Sequence, residues 1–347
     1  MDVALNTRIV LARRPMGDPS PADFEFTQAP APVPAEGELL LRTRLLSIDA
    51  CARARARDTS FMGERMDVGE VMRCNTVAQV VRSRHPAFRP GDIVLAHTGW
   101  QDYDVVHGSQ VKRKLYERVA PWSTALGVYG VYGFVAWSAM TRATPPRAGQ
   151  TVLVGSATGP TGATAGQLAK LRGARVVGVT SSAEKCRWLL DEAGFDAAID
   201  SRAPGFGEAL REACPDGVDL FVPGLDYRVF DAALPLLNIG ARLPVWGMTM
   251  YQTEDAGELA QDRMAGLMAA MVTKRLDVRA YNAAHDFTQL APESICDPDF
   301  IADMGMLLRS GQLRYREEFV DGLENAPAAL EAVLRGGNFG KLVVRVA

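Results

Sequence analysis

Residues 151–162, Thr-Val-Leu-Val-Gly-Ser-Ala-Thr-Gly-Pro-Thr-Gly, constrain the fold of this chain more than any other segment. A short run of β-branched and apolar residues predicts a buried strand, a glycine turn follows, and Ala163 to Arg172 read as a helix. A strand that turns through glycines straight into a helix offers an anion unpaired N–H groups and the positive end of the helix dipole. Gly159 lets backbone approach an anion closely and Gly162 lets the helix pack tightly, while Ala157 stands where the usual fingerprint has its first glycine and Thr158 fills the gap. A tight turn that holds no ligand is the plainer alternative for such a loop.

The context favours a ligand. A second apolar run, Ala174-Arg-Val-Val-Gly-Val-Thr180, follows the helix at the spacing a βαβ unit requires. A site for NAD would end this second strand on an acidic residue for the ribose hydroxyls, whereas this one ends Thr180-Ser181-Ser182-Ala-Glu-Lys185. Small hydroxyls followed by the Lys185 ammonium suit an additional phosphate, so the cofactor read here is NADP. Lys185 also reads as an ordinary solvated helix lysine, and Glu184 beside it counts against a pure phosphate site.

The 347 residues, 48% hydrophobic and 23% charged, are enough for a large core and two domains. A net charge of −3 leaves no basic footprint, which argues against nucleic acid or an anionic membrane as partner. No apolar run approaches the roughly 18 residues of a membrane span, and Met1 to Arg14 lacks the order of a signal peptide, so a soluble, cytoplasmic protein is expected. The five cysteines, Cys51, Cys74, Cys186, Cys214 and Cys296, are scattered without C-x-x-C pairing, which predicts reduced thiols and no structural zinc. The four histidines, His85, His97, His107 and His285, have no ligand spacing and read as surface or loop residues.

Along the chain three blocks appear, with boundaries at 1–124, 125–296 and 297–347. The first is β-rich with frequent breakers: a Pro/Ala linker from Pro30 to Gly37, a long strand from Glu38 to Asp49, and a turn and strand over Arg89 to Ala96. This predicts a barrel-type domain. In the second, strands expected to start at Thr151, Ala174, Asp196, Val218, Ala241 and Leu276 alternate with helices, the pattern of an α/β doubly wound parallel sheet. The third returns to a helix, a strand from Arg314 to Val320, a helix from Glu324 to Leu334 and a last strand from Lys341 to Val346.

Several segments carry a likeness that spans nearly the whole chain. They include Gly99-Trp-Gln-Asp-Tyr103, Ala125-Leu-Gly127, Ala157 to Gly162, Ala183-Glu-Lys-Cys186, Leu234-Pro-Leu-Leu237, Asp321 to Pro327 and Asn338-Phe-Gly-Lys341. With these the chain resembles the zinc-free medium-chain dehydrogenases/reductases, in the branch of the NADPH-dependent alkenal, prostaglandin and curcumin double-bond reductases. The resemblance implies a GroES-like β-barrel domain built from both chain ends, a Rossmann domain between, a homodimer paired through the strand near Leu276 to Ala280, and no metal. Zinc-dependent relatives carry Gly-His-Glu where this chain has Gly69-Glu70.

The implied reaction is hydride transfer from NADPH to the β-carbon of an enone or enal, with a hydrogen-bond donor meeting the charge that develops on the carbonyl oxygen. The family's donor is a Tyr after the strand ending near Gly247; here Gln252 takes its position and Tyr251 lies one residue early, with Tyr281 as the other candidate. The cofactor set carried over is Ala157, Thr158, Gly159, Gly162, Thr180, Ser181, Lys185 and Asn338, together with Lys341; the substrate-cleft set is Cys51, Trp100, Tyr103, Tyr132, Asp226, Tyr227 and Trp246. Departures concentrate beside the nicotinamide: Pro223-Gly-Leu-Asp-Tyr227 replaces a glycine-rich stretch, Trp246 a small residue and Tyr132 a Pro, while Ser201 replaces a phosphate-contacting Tyr and Ala50-Cys-Ala52 a Met/Pro/Tyr loop. Three readings stay open on these residues: a reductase for a bulky substrate such as an intermediate of secondary metabolism, a former reductase catalysing a redox-neutral cyclisation, dehydration or isomerisation, and a non-enzymatic interaction protein.

Overall fold

The computed structural model describes residues 5–57, 66–224, 226–246, 264–281 and 295–346. The chain divides into two compact units, Met1–Val131 with Ala284–Gly305 and Glu317–Ala347, and Tyr132–Ala283 with Met306–Arg316.

Strands β1 (Leu5–Leu11), β2 (Phe24–Pro30), β3 (Glu38–Ser47), β4 (Thr76–Ser83), β5 (Ile93–Ala96), β6 (Tyr103–His107) and β7 (Arg113–Lys114) build the first unit, with a five-residue helix α1 (Ala52–Ala56). Two strands from the end of the chain, β14 (Glu317–Asp321) and β15 (Lys341–Arg345), complete it. Seven strands form one sheet in the order β14-β15-β3-β4-β5-β7, with β6 also on β3. One edge of β3 is shared, residues 38–42 pairing with β6 and residues 45–47 with β15. Its pairing with β4 is interrupted by register shifts at Leu40/Leu41 and Thr43/Leu45, irregularities that sharpen the local twist and bend a sheet toward closure. Leu39, Leu41, Ala78, Val80, Val94 and Ala96 form one apolar cluster, and Ile9, Leu11, Leu46, Ile48, Trp100 and Val344 belong to a second.

The long strand expected over Glu38 to Asp49 stops at Ser47, because Asp49 leaves the ladder to meet a charge. Lys341, the first residue of β15, directs its Nζ onto Asp49 Oδ1 at 2.9 Å and onto the carbonyls of Ile48 and Leu342. Ser47 Oγ donates to the same carboxylate oxygen at 2.7 Å. Both charged side chains are less than a tenth exposed, so this pair ties the chain's last strand to its third in a dry setting.

The second unit opens with α2 (Val131–Ser138) and then alternates β8 (Thr151–Val154), α3 (Pro160–Leu171), β9 (Arg175–Thr180), α4 (Ala183–Asp191), β10 (Ala197–Asp200), α5 (Phe206–Ala213), β11 (Val218–Val222), α6 (Tyr227–Ala233), β12 (Leu237–Trp246) and β13 (Asp277–Tyr281). All six strands are parallel in the order β10-β9-β8-β11-β12-β13, which is 3-2-1-4-5-6 by appearance and therefore a Rossmann sheet. Leu153, Val177, Val179, Ile199, Phe221 and Leu243 fill its core. The Phe195 ring sits where two glycines leave room, for a Cβ on Gly166 of α3 would lie 2.1 Å from it and one on Gly178 of β9 2.8 Å.

Further element boundaries differ from the sequence expectation, three of them for a clear local reason. Helix α3 begins at Pro160 instead of Ala163, since proline lacks only an N–H that the first helical turn leaves unpaired anyway. Strand β12 begins at Leu237 instead of Ala241, pairing Leu237 with Val218 before a register irregularity that absorbs the breakers Asn238 and Gly240. The strand expected from Arg314 starts at Glu317, because the backbone of Arg314 is held by a side chain: its N–H donates to Gln167 Oε1 at 2.7 Å and its carbonyl accepts from Gln167 Nε2 at 2.8 Å.

Replacing Lys341 by Met strands the Asp49 carboxylate in the interior, so stability should fall by about 3–5 kcal/mol. Adding Asp49→Asn to Lys341→Met should recover a large part of the loss in urea unfolding. Equal stability of the single variant and the wild type would show that the pair contributes nothing.

Candidate cofactor site

The turn after β8 is built from backbone in close contact, and its glycines are demanded by space. A Cβ on Gly155 would lie 2.6 Å from the nitrogen of Gly224, and one on Gly224 would lie 2.6 Å from the nitrogen of Ser156. The carboxyl ends of β8 and β11 therefore meet without side chains between them, at the point where the strand order reverses. Ser156 takes a left-handed conformation, φ 48°, uncommon for a residue with a side chain. Its carbonyl then accepts from the N–H of Gly159 at 2.9 Å, closing the loop on itself.

Gly159 is the N-cap of α3 and brings no capping side chain. The N–H groups of Thr161 and Gly162 in the first turn, which no helix can satisfy internally, are left for another partner. Gly162 cannot be larger, since its Cβ would stand 2.6 Å from the Ser156 carbonyl oxygen and 3.0 Å from Ala157 Cα. The neighbour that demands a glycine at 162 is thus the loop itself rather than the strand before it. Ala157 is fully buried, its N–H donating to Val179 of β9, and the buried hydroxyls of Thr158 and Thr180 are 3.1 Å apart, which pins the loop to the end of β9.

The end of β9 supplies the second half of the site. Ser182 caps α4, its Oγ accepting from the N–H of Lys185. Lys185 is 9% exposed and its Nζ donates to Ser181 Oγ at 3.1 Å, so ammonium and hydroxyl converge on one spot beside the helix start. Glu184, which counted against a phosphate, has Arg316 at 3.9 Å. That arginine is 132 positions farther along the chain and carries no local signal, which is why sequence reasoning missed it. Ser201, buried, donates its N–H to the carbonyl of Thr180. No carboxylate ends β9. A cradle that side chains would fill, uncapped N–H groups and a lysine–serine pair together fit a dinucleotide carrying an extra phosphate.

Other expected site residues are distributed unevenly. Lys341 is no phosphate ligand, since its ammonium is already surrounded by Asp49 and two carbonyls. Trp100 is a core residue rather than a cleft residue, 1% exposed and 5.3 Å from the Phe24 ring. Asp226 caps α6 and its carboxylate is gripped by the backbone N–H and guanidinium of Arg228, so it offers no lone acid. Asn338 donates to the carbonyl of Gly340 at 2.7 Å. Cys51 precedes α1, and burial pushes its thiol pKa up, with Arg55 opposing, so it is protonated at neutral pH. Tyr103 is half-buried in β6, Tyr132 and Tyr227 are half-buried in the first turns of α2 and α6, and half-buried Trp246 ends β12 in register with Tyr281. Tyr251 lies outside the described residues, as does the Tyr281 side chain. Among the described residues no group of three or more His, Cys, Asp or Glu side chains could hold a metal ion.

Two family models match this chain, N-terminal domain of oxidoreductase over residues 7–113 and zinc-binding dehydrogenase over residues 160–291. The NADPH-dependent curcumin reductase of Escherichia coli (strain K12) is 42% identical over 342 residues, 99% of this chain and 97% of the relative. The chain belongs to the alkenal, prostaglandin and curcumin reductase branch of the medium-chain dehydrogenases/reductases. In the same branch, the NADP(+)-dependent 2-alkenal reductase of Nicotiana tabacum is 29% identical over 351 residues, covering 98% of this chain and 97% of the relative. The crystal structure of CurA in complex with NADPH from Vibrio vulnificus aligns with a TM-score of 0.90 at 40% identity, over 98% of this chain and 99% of that one. The parallel sheet and the bent N-terminal sheet are thus the fold of this branch.

Proposed function

We propose that this protein is an NADPH-dependent reductase of the activated carbon–carbon double bond in α,β-unsaturated carbonyl compounds. The observation that carries the reading is the pairing of an uncapped, glycine-lined helix start with Lys185 on Ser181 at the end of β9. The names of the relatives, an NADPH-dependent curcumin reductase, an NADP(+)-dependent 2-alkenal reductase and prostaglandin reductase 1, favour it over the redox-neutral and non-enzymatic readings.

The N–H groups of Thr161 and Gly162 would bind the pyrophosphate, and Lys185 with Ser181 the ribose phosphate. When bound, NADPH supplies the hydride. Tyr251 would donate its phenol proton in a hydrogen bond to the substrate carbonyl, with Tyr281 as the alternative donor, and need only hold that geometry as negative charge grows on oxygen. A bulky substrate, from secondary metabolism, suits the large residues Tyr132, Tyr227 and Trp246. A cytoplasmic location accords with five unpaired cysteines, and among the described residues no helix is long and apolar enough to cross a membrane. The assembly we propose is a homodimer paired through β13, an edge strand of the parallel sheet whose Val278 is partly exposed. Light scattering at micromolar concentration should give twice the protomer's 37.5 kDa, and a monomer would refute it.

The reaction is tested by following NADPH absorbance with an enone present; loss of one NADPH per reduced double bond is expected, and product without NADPH consumption would overturn the reading. Lys185→Ala should remove a charge-assisted contact of about 1.5–3 kcal/mol, weakening NADPH roughly ten- to hundredfold while leaving NADH nearly unchanged in calorimetry. Equal losses for both cofactors would make Lys185 a structural residue. Tyr251→Phe should lower kcat by on the order of 10–1000-fold with a smaller effect on KM, and wild-type turnover would move the donor role to Tyr281.

A further inference from the structure

One rim of the first unit's sheet gathers polar side chains that the cofactor site does not use. Asn75 precedes β4, His97 follows β5 and Lys112 precedes β7; with Thr76 opposite Ala96 and Leu95 opposite Arg113, the three stand side by side across adjacent strands. Lys112 Nζ donates to Asn75 Oδ1 at 3.0 Å, and His97 Nδ1 lies 3.2 Å from the same oxygen. Because an ammonium only donates, the Asn75 atom facing it is the oxygen, so His97 must also donate there and carries its proton on Nδ1. His97, a loop residue as the sequence suggested, is therefore half-buried and held in one tautomer.

The neighbouring cations show what is unusual about Lys112. Lys114 has Asp92 at 2.7 Å, and Arg113 donates to the carbonyls of Ile295 and Tyr129 and lies over the Tyr129 ring at 4.6 Å. Among the described residues Lys112 has no carboxylate within ion-pair reach, only the neutral Asn75. The charges around the rim add to the imbalance. Arg55 reaches the carbonyl of Arg73, Arg73 faces Asp104 at 3.7 Å, and the Asp49 carboxylate is held by Lys341.

We propose that Lys112, positioned by Asn75 and His97, is a carboxylate subsite, and that its occupant is an acid group carried by the unsaturated carbonyl substrate. A largely desolvated cation with no carboxylate in ion-pair reach among the described residues is costly, and an incoming carboxylate relieves it through the two ammonium protons that Asn75 leaves unused. The link to substrate is local: Arg55 and Asp49, the charges that act on Lys112, also act on Cys51, in the loop that the resemblance sets beside the substrate. Electrostatics agree, for burial and then Arg55 push the Lys112 pKa down to about 8, with Asp49 opposing. Burial, Arg55, Lys112 and Arg73 push that of His97 down to about 3, so the imidazole stays neutral and leaves Lys112 as the binding charge. Burial raises the Asp104 carboxyl to about 6 against Arg73.

The inference rests on the reductase reading, and the test separates the two. Benzylideneacetone and its para-carboxylate are compared as substrates with NADPH, and the quantity read is the ratio of their kcat/KM values, acid over neutral. In the wild type the ratio should exceed one and fall as pH rises through about 8, where the ammonium is lost while the carboxylate stays ionised. Lys112→Met should lower it at least tenfold, through KM, and Lys112→Arg should retain it. A ratio at or below one in the wild type, or one that Lys112→Met leaves unchanged, overturns the subsite without touching the reductase. If neither compound is reduced, the reductase reading fails, and calorimetric binding of the para-carboxylate then decides the subsite: binding at least tenfold weaker in Lys112→Met supports it, equal binding refutes it.

Discussion

Backbone must touch backbone where β8 and β11 end, and the second unit is arranged around that contact. Gly155 and Gly224 leave no side chain between the two strands, Ser156 accepts a left-handed conformation to turn the chain, and Gly162 lets α3 start against the turn. Any Cβ at these glycines would come within 2.6 Å of another backbone atom, so the loop and the helix start would have to move together. The result is a rigid concavity of N–H groups at the point where a parallel sheet changes direction, which is where this architecture binds nucleotides.

Charge is handled differently in the two units. In the parallel-sheet unit Lys185 is nearly buried beside a hydroxyl, a weak partner that a phosphate would readily outrank. In the bent-sheet unit Lys341 is buried against a full carboxylate and two carbonyls, and serves the fold. Lys112 lies between these cases, with an amide for partner and no counter-charge among the described residues. Three lysines of the same chemistry thus sit in three settings, told apart by the neighbours that each one meets.

Much of the architecture was legible because it is written in periodicity and glycine placement. Strand β8, the loop to Gly162 and the start of β11 at Val218 fell where short apolar runs and turn residues predicted them, since a buried parallel strand has to be apolar throughout. The boundaries that moved, at Leu237 and Glu317, moved because remote partners intervened: a register irregularity against β11 in one case, the Gln167 side chain in the other. Family likeness pointed to Gly159 and Lys185 through features local to one loop and one strand end, a helix start without a capping side chain and a lysine beside a serine hydroxyl.

A residue type does not reveal what it will touch, and Trp100, Asp226 and Lys341 each meet a partner that the family likeness does not name. Trp100 spends its ring on Phe24, Asp226 its carboxylate on Arg228, and Lys341 its ammonium on Asp49, contacts made across spans from two to 292 residues. By itself the sequence determined the order of strands and helices, the glycine cradle and the phosphate-type strand end, all set by neighbours within a few tens of residues. Tertiary structure alone decided what each charge meets: Arg316 reaching Glu184, Lys341 reaching Asp49, and Lys112 brought beside Asn75 and His97 with no carboxylate in ion-pair reach among the described residues. Pairing of that kind depends on distances that only the folded sheet creates.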